Sequence, residues 1–174
     1  MPIVTREQIA FGDYGSSQTL HRMRDLVNRS LSVPLVVETA NGIAALVAPR
    51  DYLGIAQAIR GWLTQHFRFV RDPVGVELVR DPVYMLRQWQ ANGYITGDCD
   101  DAAVLGAALG KADGIGARFV AVGFQPGGPL LHVFTILTGR RDSGMGSLGP
   151  GVDLDVTRPA VTSARIARKV ELTV

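Results

Sequence analysis

The sequence contains one cysteine, Cys99, so no disulfide bond can form within the chain. Its formal net charge is only +2, and just two of its basic residues are lysines, a balance that indicates no basic surface for nucleic acid. No apolar run approaches the ~18 residues of a membrane-spanning helix, and no cationic segment followed by an apolar one opens the chain. We therefore expect a protein of the cytoplasm or of a larger assembly, with neither a membrane nor a nucleic acid as partner.

Cofactor-binding motifs are also missing. The glycines fall in turns and not between a strand and a helix, which excludes a phosphate loop and a dinucleotide-binding motif. Cys99 and the three histidines do not have the short spacings of a metal site. The 174 residues are 47% hydrophobic and 20% charged, which is typical of one globular domain with a sizeable core. We expect residues 1–174 to form that domain and to need no cofactor.

The order of the predicted elements favours an α+β fold. After an extended arm over residues 1–16, helical spacing of apolar residues predicts helices over residues 17–31, 35–47 and 52–63, and a shorter one begins at Asp81-Pro82. Runs typical of strands cover residues 67–70, 118–124, 131–137, 152–156 and 169–174. We expect residues 1–95 to be a helical prefix and residues 96–174 to form a helix packed on an antiparallel sheet.

The cysteine lies in an unusual stretch. Asp98 is a favourable N-cap and Asp101 stands at the capping-box position, so Cys99 falls in the first turn of a helix. The helix N-terminus stabilises a thiolate, whereas the neighbouring aspartates oppose it, so we expect a cationic group, a histidine, to face the thiol. Small residues follow at helical spacing: Ala102, Ala103, Gly106 and Ala107. They predict a helix with a nearly flat buried stripe, against which another element packs closely.

A thiol nucleophile needs a base, and the base needs an orienting acid. His132 lies at the start of a predicted central strand, and Asp153 and Asp155 lie on the next one, where paired strands bring such side chains within ~5 Å. This spacing is compatible with a catalytic triad, and also with a buried cysteine and a structural histidine. A second histidine, His66, ends a helix rich in aromatic residues, and we interpret it as a packing residue.

Three motifs, in order, resemble the transglutaminase-like superfamily, whose members share a papain-like fold. The first is Gly-Asp-Cys-Asp-Asp-Ala, which starts at Gly97 and is followed by an Ala/Leu-rich helix. The second is His-Val-Phe-Thr, which starts at His132. The third is Leu-Asp-Val-Thr, which starts at Leu154 and has a valine where the family has a proline. The resemblance implies a transglutaminase-like core, with the N-terminal helices and the cysteine helix packed on an antiparallel sheet.

The resemblance also implies roles for particular residues. Cys99 is the nucleophile, His132 the base and acid, and Asp155 the orienter. Asp153, expected to face the same way as Asp155 by the two-residue strand period, is the reserve orienter. In the family a tryptophan or polar residue before the cysteine serves the oxyanion hole, which makes Trp89 the candidate donor beside the Cys99 N–H. The implied activity is a thiol peptidase or amidase that forms a thioester with a protein or peptide substrate, and transamidation uses the same groups.

Calcium is a less favoured implication of the same resemblance. Some similar bacterial proteases bind calcium through acidic residues next to the cysteine, which points to Asp98 and Asp100. Helix capping explains Asp98 equally simply, and two side chains do not supply the six or more oxygen ligands that calcium takes.

An alternative function also follows from the resemblance. Similar single-domain chains are often encoded by tailed bacteriophages, so the protein is alternatively a structural or assembly component of a virion, with other virion proteins as partners. In either case we expect the Gly/Ser-rich loop of residues 138–151 to border the cleft and to be mobile.

Overall fold

The computed structural model describes residues 13–73, 78–139, 151–157 and 166–174. The elements in chain order are α1 (Asp13–Ser30), α2 (Pro34–Ala44), α3 (Tyr52–His66), β1 (Phe67–Phe69), α4 (Pro82–Asn92), β2 (Ile95–Gly97), α5 (Cys99–Ala112), β3 (Gly116–Gly123), β4 (His132–Thr138), β5 (Val152–Asp153) and β6 (Arg168–Thr173). The predicted α+β class is confirmed. Among the described residues, none of the helices combines the length and the apolar character that crossing a membrane requires.

The larger sheet has the strand order β5-β4-β3-β6, and each neighbouring pair is antiparallel. Strand β4 therefore lies inside the sheet, as predicted, and it begins with His132 opposite Val122. Near its other end Ile136 pairs with Asp153 of β5. The chain that follows the short edge strand β5 therefore runs along β4 towards His132.

A second, two-stranded sheet was not predicted. Strand β1 pairs in parallel with β2, with Phe67 opposite Ile95 and Phe69 opposite Gly97. Three residues are too few for an alternating pattern to identify β2, and its partner lies across α4 in the chain. This pairing has a consequence for the site, because β2 ends two residues before Cys99 and so positions the start of α5.

Local signals located most element ends. The Asp51 carboxylate accepts a hydrogen bond from the Gly54 N–H at 2.8 Å, and Asp81 accepts one from the Val83 N–H at 2.7 Å, so both aspartates cap their helices. Gly93 adopts a left-handed conformation with φ 78° and ends α4 directly after Asn92.

Several of the predicted boundaries were wrong. Residues 13–16, expected in the arm, belong to α1, α2 ends at Ala44 before the predicted 47, and α3 continues to His66 beyond the predicted 63. The strand predicted over residues 152–156 stops at Asp153. Residues 1–12 of the predicted arm and residues 140–150 of the predicted mobile loop lie outside the described residues.

Helix α5 forms the centre of the fold. Its residues from Asp100 to Gly110 are all buried, so the helix is enclosed on every side and not only along the predicted small-residue stripe. The close approach itself is confirmed. A Cβ on Gly106 would lie 2.7 Å from the Leu154 Cδ1, and one on Gly110 would overlap the Leu137 side chain. Because glycine leaves this space, β4 and the segment carrying Asp155 pack directly onto the helix that begins with Cys99.

Candidate active site

Cys99 is the first residue of α5 and is half-buried. The Asp98 N–H donates to the Asp101 carboxylate at 3.3 Å, which is the contact that the capping-box pattern predicted. The N–H groups of the first helical turn, including that of Cys99, have no acceptor within the helix. The thiol therefore lies at the positive end of the helix dipole, where a thiolate is stabilised.

His132 and Asp155 form a buried, hydrogen-bonded pair. The His132 Nε2 lies 2.7 Å from the Asp155 Oδ2, and the two residues are 7% and 8% exposed. The Leu154 N–H donates to the Thr135 carbonyl at 2.9 Å, which holds the chain after β5 along β4. The Thr157 hydroxyl lies 3.4 Å from the other Asp155 oxygen. Of the two candidate aspartates, Asp155 is the one whose carboxylate contacts the imidazole.

Asp153 makes a different contact from the one that a reserve orienter would make. It is exposed, whereas Asp155 is buried, and β5 ends at Asp153. The Asp153 Oδ1 instead accepts a hydrogen bond from the Asp155 N–H at 2.6 Å. Asp153 thus orients the backbone of Asp155 and not the histidine ring.

Cys99 and His132 line the same cavity, which has a volume of about 300 Å³. One wall is α1, through residues that include Ser16 and Thr19. Because Asp155 engages Nε2, the Nδ1 atom is the His132 nitrogen that would exchange a proton with the thiol. The arrangement therefore brings a thiol at a helix start and an acid-paired imidazole into one cleft.

The cationic group at the aspartates is an arginine that the sequence interpretation missed. The Arg80 guanidinium forms an ion pair with the buried Asp101, and the Arg80 N–H donates to the same carboxylate at 2.8 Å. Asp72 lies 3.5 Å from the guanidinium on its other side. Burial raises the pKa of Asp101 to about 7, while Arg80 acts in the opposite direction. Arg80 precedes Cys99 by 19 positions in an irregular segment, so no periodic pattern indicated it.

The carboxylates around Cys99 do not make a convincing calcium site. Asp98, Asp100 and Asp101 each offer an oxygen, and these oxygens lie within 4.8 Å of one another. However, Arg80 already supplies a positive charge to Asp101. The two remaining carboxylates fall short of the six to eight oxygen ligands that calcium takes. We assign no calcium to these residues.

Trp89 is not among the described residues that line the Cys99 cleft. Its ring packs 5.0 Å from Trp62 and 5.6 Å from His66, and it lines a separate groove on the helical side. The Trp89 ring therefore packs towards α3, and no contact of this ring with the described residues supports the predicted role of oxyanion donor. The interpretation of His66 as a packing residue is confirmed, since its Nδ1 also contacts the Gly93 carbonyl at 3.2 Å.

Thr135 is a further residue that the sequence interpretation did not identify. It is fully buried, and its hydroxyl donates to the Ala103 carbonyl at 2.7 Å. This hydrogen bond joins β4, which begins with His132, to the second turn of α5. A threonine within an apolar strand gives no sign of its partner before the helix is placed.

Comparison of the chain with models of protein families, with curated proteins and with solved structures gives no match in any of the three. The site itself and the sequence resemblance are therefore the two observations that bear on function.

Proposed function

We propose that this protein is a thiol hydrolase of the transglutaminase-like type, a peptidase or amidase that acts through Cys99, His132 and Asp155. The observation that carries the proposal is the 2.7 Å pairing of the His132 Nε2 with the Asp155 carboxylate beside the cleft that holds Cys99. A buried carboxylate on one ring nitrogen selects the tautomer whose other nitrogen can take the thiol proton.

The chemistry follows from these three side chains. His132 Nδ1 takes the Cys99 proton, and the thiolate attacks the carbonyl carbon of the substrate, forming a C–S bond. The Cys99 N–H is oriented to stabilise the oxyanion. His132 then protonates the departing amine as the C–N bond breaks, leaving a thioester on Cys99. Water activated by His132 hydrolyses the thioester, and an amine in place of water gives transamidation.

Alkylation of Cys99 tests the proposal before any substrate is known. We expect iodoacetamide to label Cys99 half-maximally below pH ~8.5, the value of an unperturbed thiol. His132→Ala should raise that midpoint, whereas His21→Ala, which removes an exposed histidine of α1, should leave it unchanged. Cys99→Ser should abolish labelling with little change in melting temperature, because the residue is only half-buried.

A labelling midpoint at or above pH ~8.5 that does not change in the His132→Ala variant would contradict the proposal. Such an inert thiol would favour the alternative, a virion structural or assembly component that keeps the fold without the chemistry.

A further inference from the structure

The cleft around Cys99 has walls of different chemistry. The start of α5 contributes Asp98 and Asp100 beside the thiol. The opposite walls, on α1 and on the β3–β4 side, are mainly aliphatic: Leu20, Met23, Ala121, Leu130, Leu131 and Val133. Two hydroxyl-bearing residues of α1 complete that side. A cavity of about 300 Å³ with such walls has the size and apolar lining of a small-molecule or side-chain pocket.

Leu131 stands out among these residues because its side chain is 62% exposed. It directly precedes His132, and its N–H donates to the Val122 carbonyl at 2.9 Å, so its backbone is held against β3. The other aliphatic residues of the walls are buried or half-buried in the apoprotein. A group bound at the thiol would cover the Leu131 side chain, and the removal of that apolar surface from water would favour binding.

The charges of the cleft also influence which acyl group can bind. None of the described residues that line it is a lysine or an arginine, whereas two are aspartates. An acyl group that carries a carboxylate would meet like charge next to the thiol and would find no cation to pair with. The same aspartates would attract a cationic acyl group, so the charges of the cleft disfavour only an anionic one.

We propose that the cleft selects acyl donors whose acyl group is aliphatic and carries no negative charge, and that Leu131 is the specificity-determining residue that contacts this group. The inference rests on the proposed function, since it names the substrate class of the same site. It assigns to Leu131 a role that its exposed position in the fold does not otherwise explain.

Acylation of Cys99 by 4-nitrophenyl esters tests this directly. The thiolate attacks the ester carbonyl, the C–S bond forms, and 4-nitrophenolate leaves with the C–O electron pair. We would compare the isovaleryl ester with the anionic adipoyl half-ester, each normalised to its reaction with N-acetylcysteine. The expected normalised rate for the isovaleryl ester exceeds that for the adipoyl half-ester by about tenfold or more. Cys99→Ser should remove the burst in every case.

Leu131→Ala should reduce the isovaleryl preference by about tenfold while the adipoyl rate changes little, because truncation removes the aliphatic contact but no charge. Leu46→Ala is the matched control, since Leu46 is 77% exposed and lies on the groove of Trp62 and Trp89. The proposal is overturned if Leu131→Ala and Leu46→Ala give the same preference, or if the adipoyl half-ester is the faster acyl donor.

Different results would contradict the triad and the role of Leu131. A preference that persists while His132→Ala leaves the acylation rate unchanged supports the substrate class and contradicts the triad. A rate that depends on His132 without any preference supports the triad and contradicts the role of Leu131.

Discussion

The hydroxyl of Thr135 donates a 2.7 Å hydrogen bond to the carbonyl oxygen of Ala103, and both residues are fully buried. Thr135 lies three residues after His132 on β4, and Ala103 lies four residues after Cys99 on α5. One buried hydrogen bond therefore ties the strand of the proposed base to the helix of the proposed nucleophile. Further along the same helix, Gly110 leaves space for the Leu137 side chain of β4, so the two elements pack closely.

Thr135→Val should slow the alkylation of Cys99 and shift its pH profile towards that of His132→Ala. The isosteric change removes the donor, leaves the Ala103 carbonyl without that donor in the core and costs about 1–3 kcal/mol of stability. Thr135→Ser retains the hydroxyl and should restore the wild-type profile. The measurements are iodoacetamide labelling against pH and thermal unfolding of the same samples.

Ser30→Ala provides the matched control for this prediction. The buried Ser30 hydroxyl donates to the Val27 carbonyl at 2.8 Å within α1, so its loss destabilises the fold without touching the link between α5 and β4. If Ser30→Ala shifts the Cys99 profile as much as Thr135→Val does, Thr135 has only a structural role.

Asp155→Asn should reduce Cys99 acylation by up to ~10⁴-fold, the size of the loss when the orienting acid of a serine triad becomes asparagine. Asp153→Asn should change the rate by no more than a few fold, because an asparagine oxygen can still accept the hydrogen bond from the Asp155 N–H. Stopped-flow acylation with a 4-nitrophenyl ester measures both. A larger loss for Asp153→Asn than for Asp155→Asn would mean that Asp153, and not Asp155, orients His132.

Arg80→Ala should lower the free energy of unfolding by about 1–3 kcal/mol, because the buried Asp101 carboxylate loses its charge partner and its pKa, already about 7, rises so that it takes up a proton at pH 7. Asp101→Asn in the same background should change the stability little, since Asp101 is then already neutral. A urea-denaturation double-mutant cycle at pH 7 measures the coupling between the two side chains. Additive losses would show that the ion pair does not stabilise the start of α5.

Asp113→Asn should stabilise the protein at pH 7 and not at pH 4. Burial raises the Asp113 pKa from 3.8 to about 6 at the C-terminal end of α5. Between those values the folded state holds a proton that the unfolded state releases, so the contribution of this group to stability falls as pH rises from 4 to 6. Discounted for partial exposure, the gain at pH 7 is about 1 kcal/mol.

Urea denaturation at the two pH values checks this prediction, with Asp25→Asn as the control. Asp25 is exposed on α1, so its substitution removes the same charge from the surface of the protein. An equal gain from Asp113→Asn at pH 4 and pH 7 would mean that helix capping, and not titration, explains the effect.

Features that depend on neighbours within a few residues could be predicted from the sequence. Asp51 and Asp81 cap their helices, and the Asp98–Asp101 pattern starts α5, because each of these hydrogen bonds closes within about one helical turn. The α+β class and the interior position of β4 followed from the order and the apolar character of long segments. Strand β2 could not be found in the same way, since three residues carry no measurable periodicity.

The sequence by itself determined where the thiol lies, at the start of a helix whose small residues permit close packing. Only the tertiary structure decided which side chains meet there. Asp155 contacts His132 and Asp153 does not, because β5 ends at Asp153 and the chain after it runs along β4 towards His132. Arg80 pairs with Asp101 across 21 residues, and Trp89 packs on Trp62 away from the cleft. The physical reason is the same in each case: these contacts depend on how separate elements are packed, and local propensity contains no information about the partner.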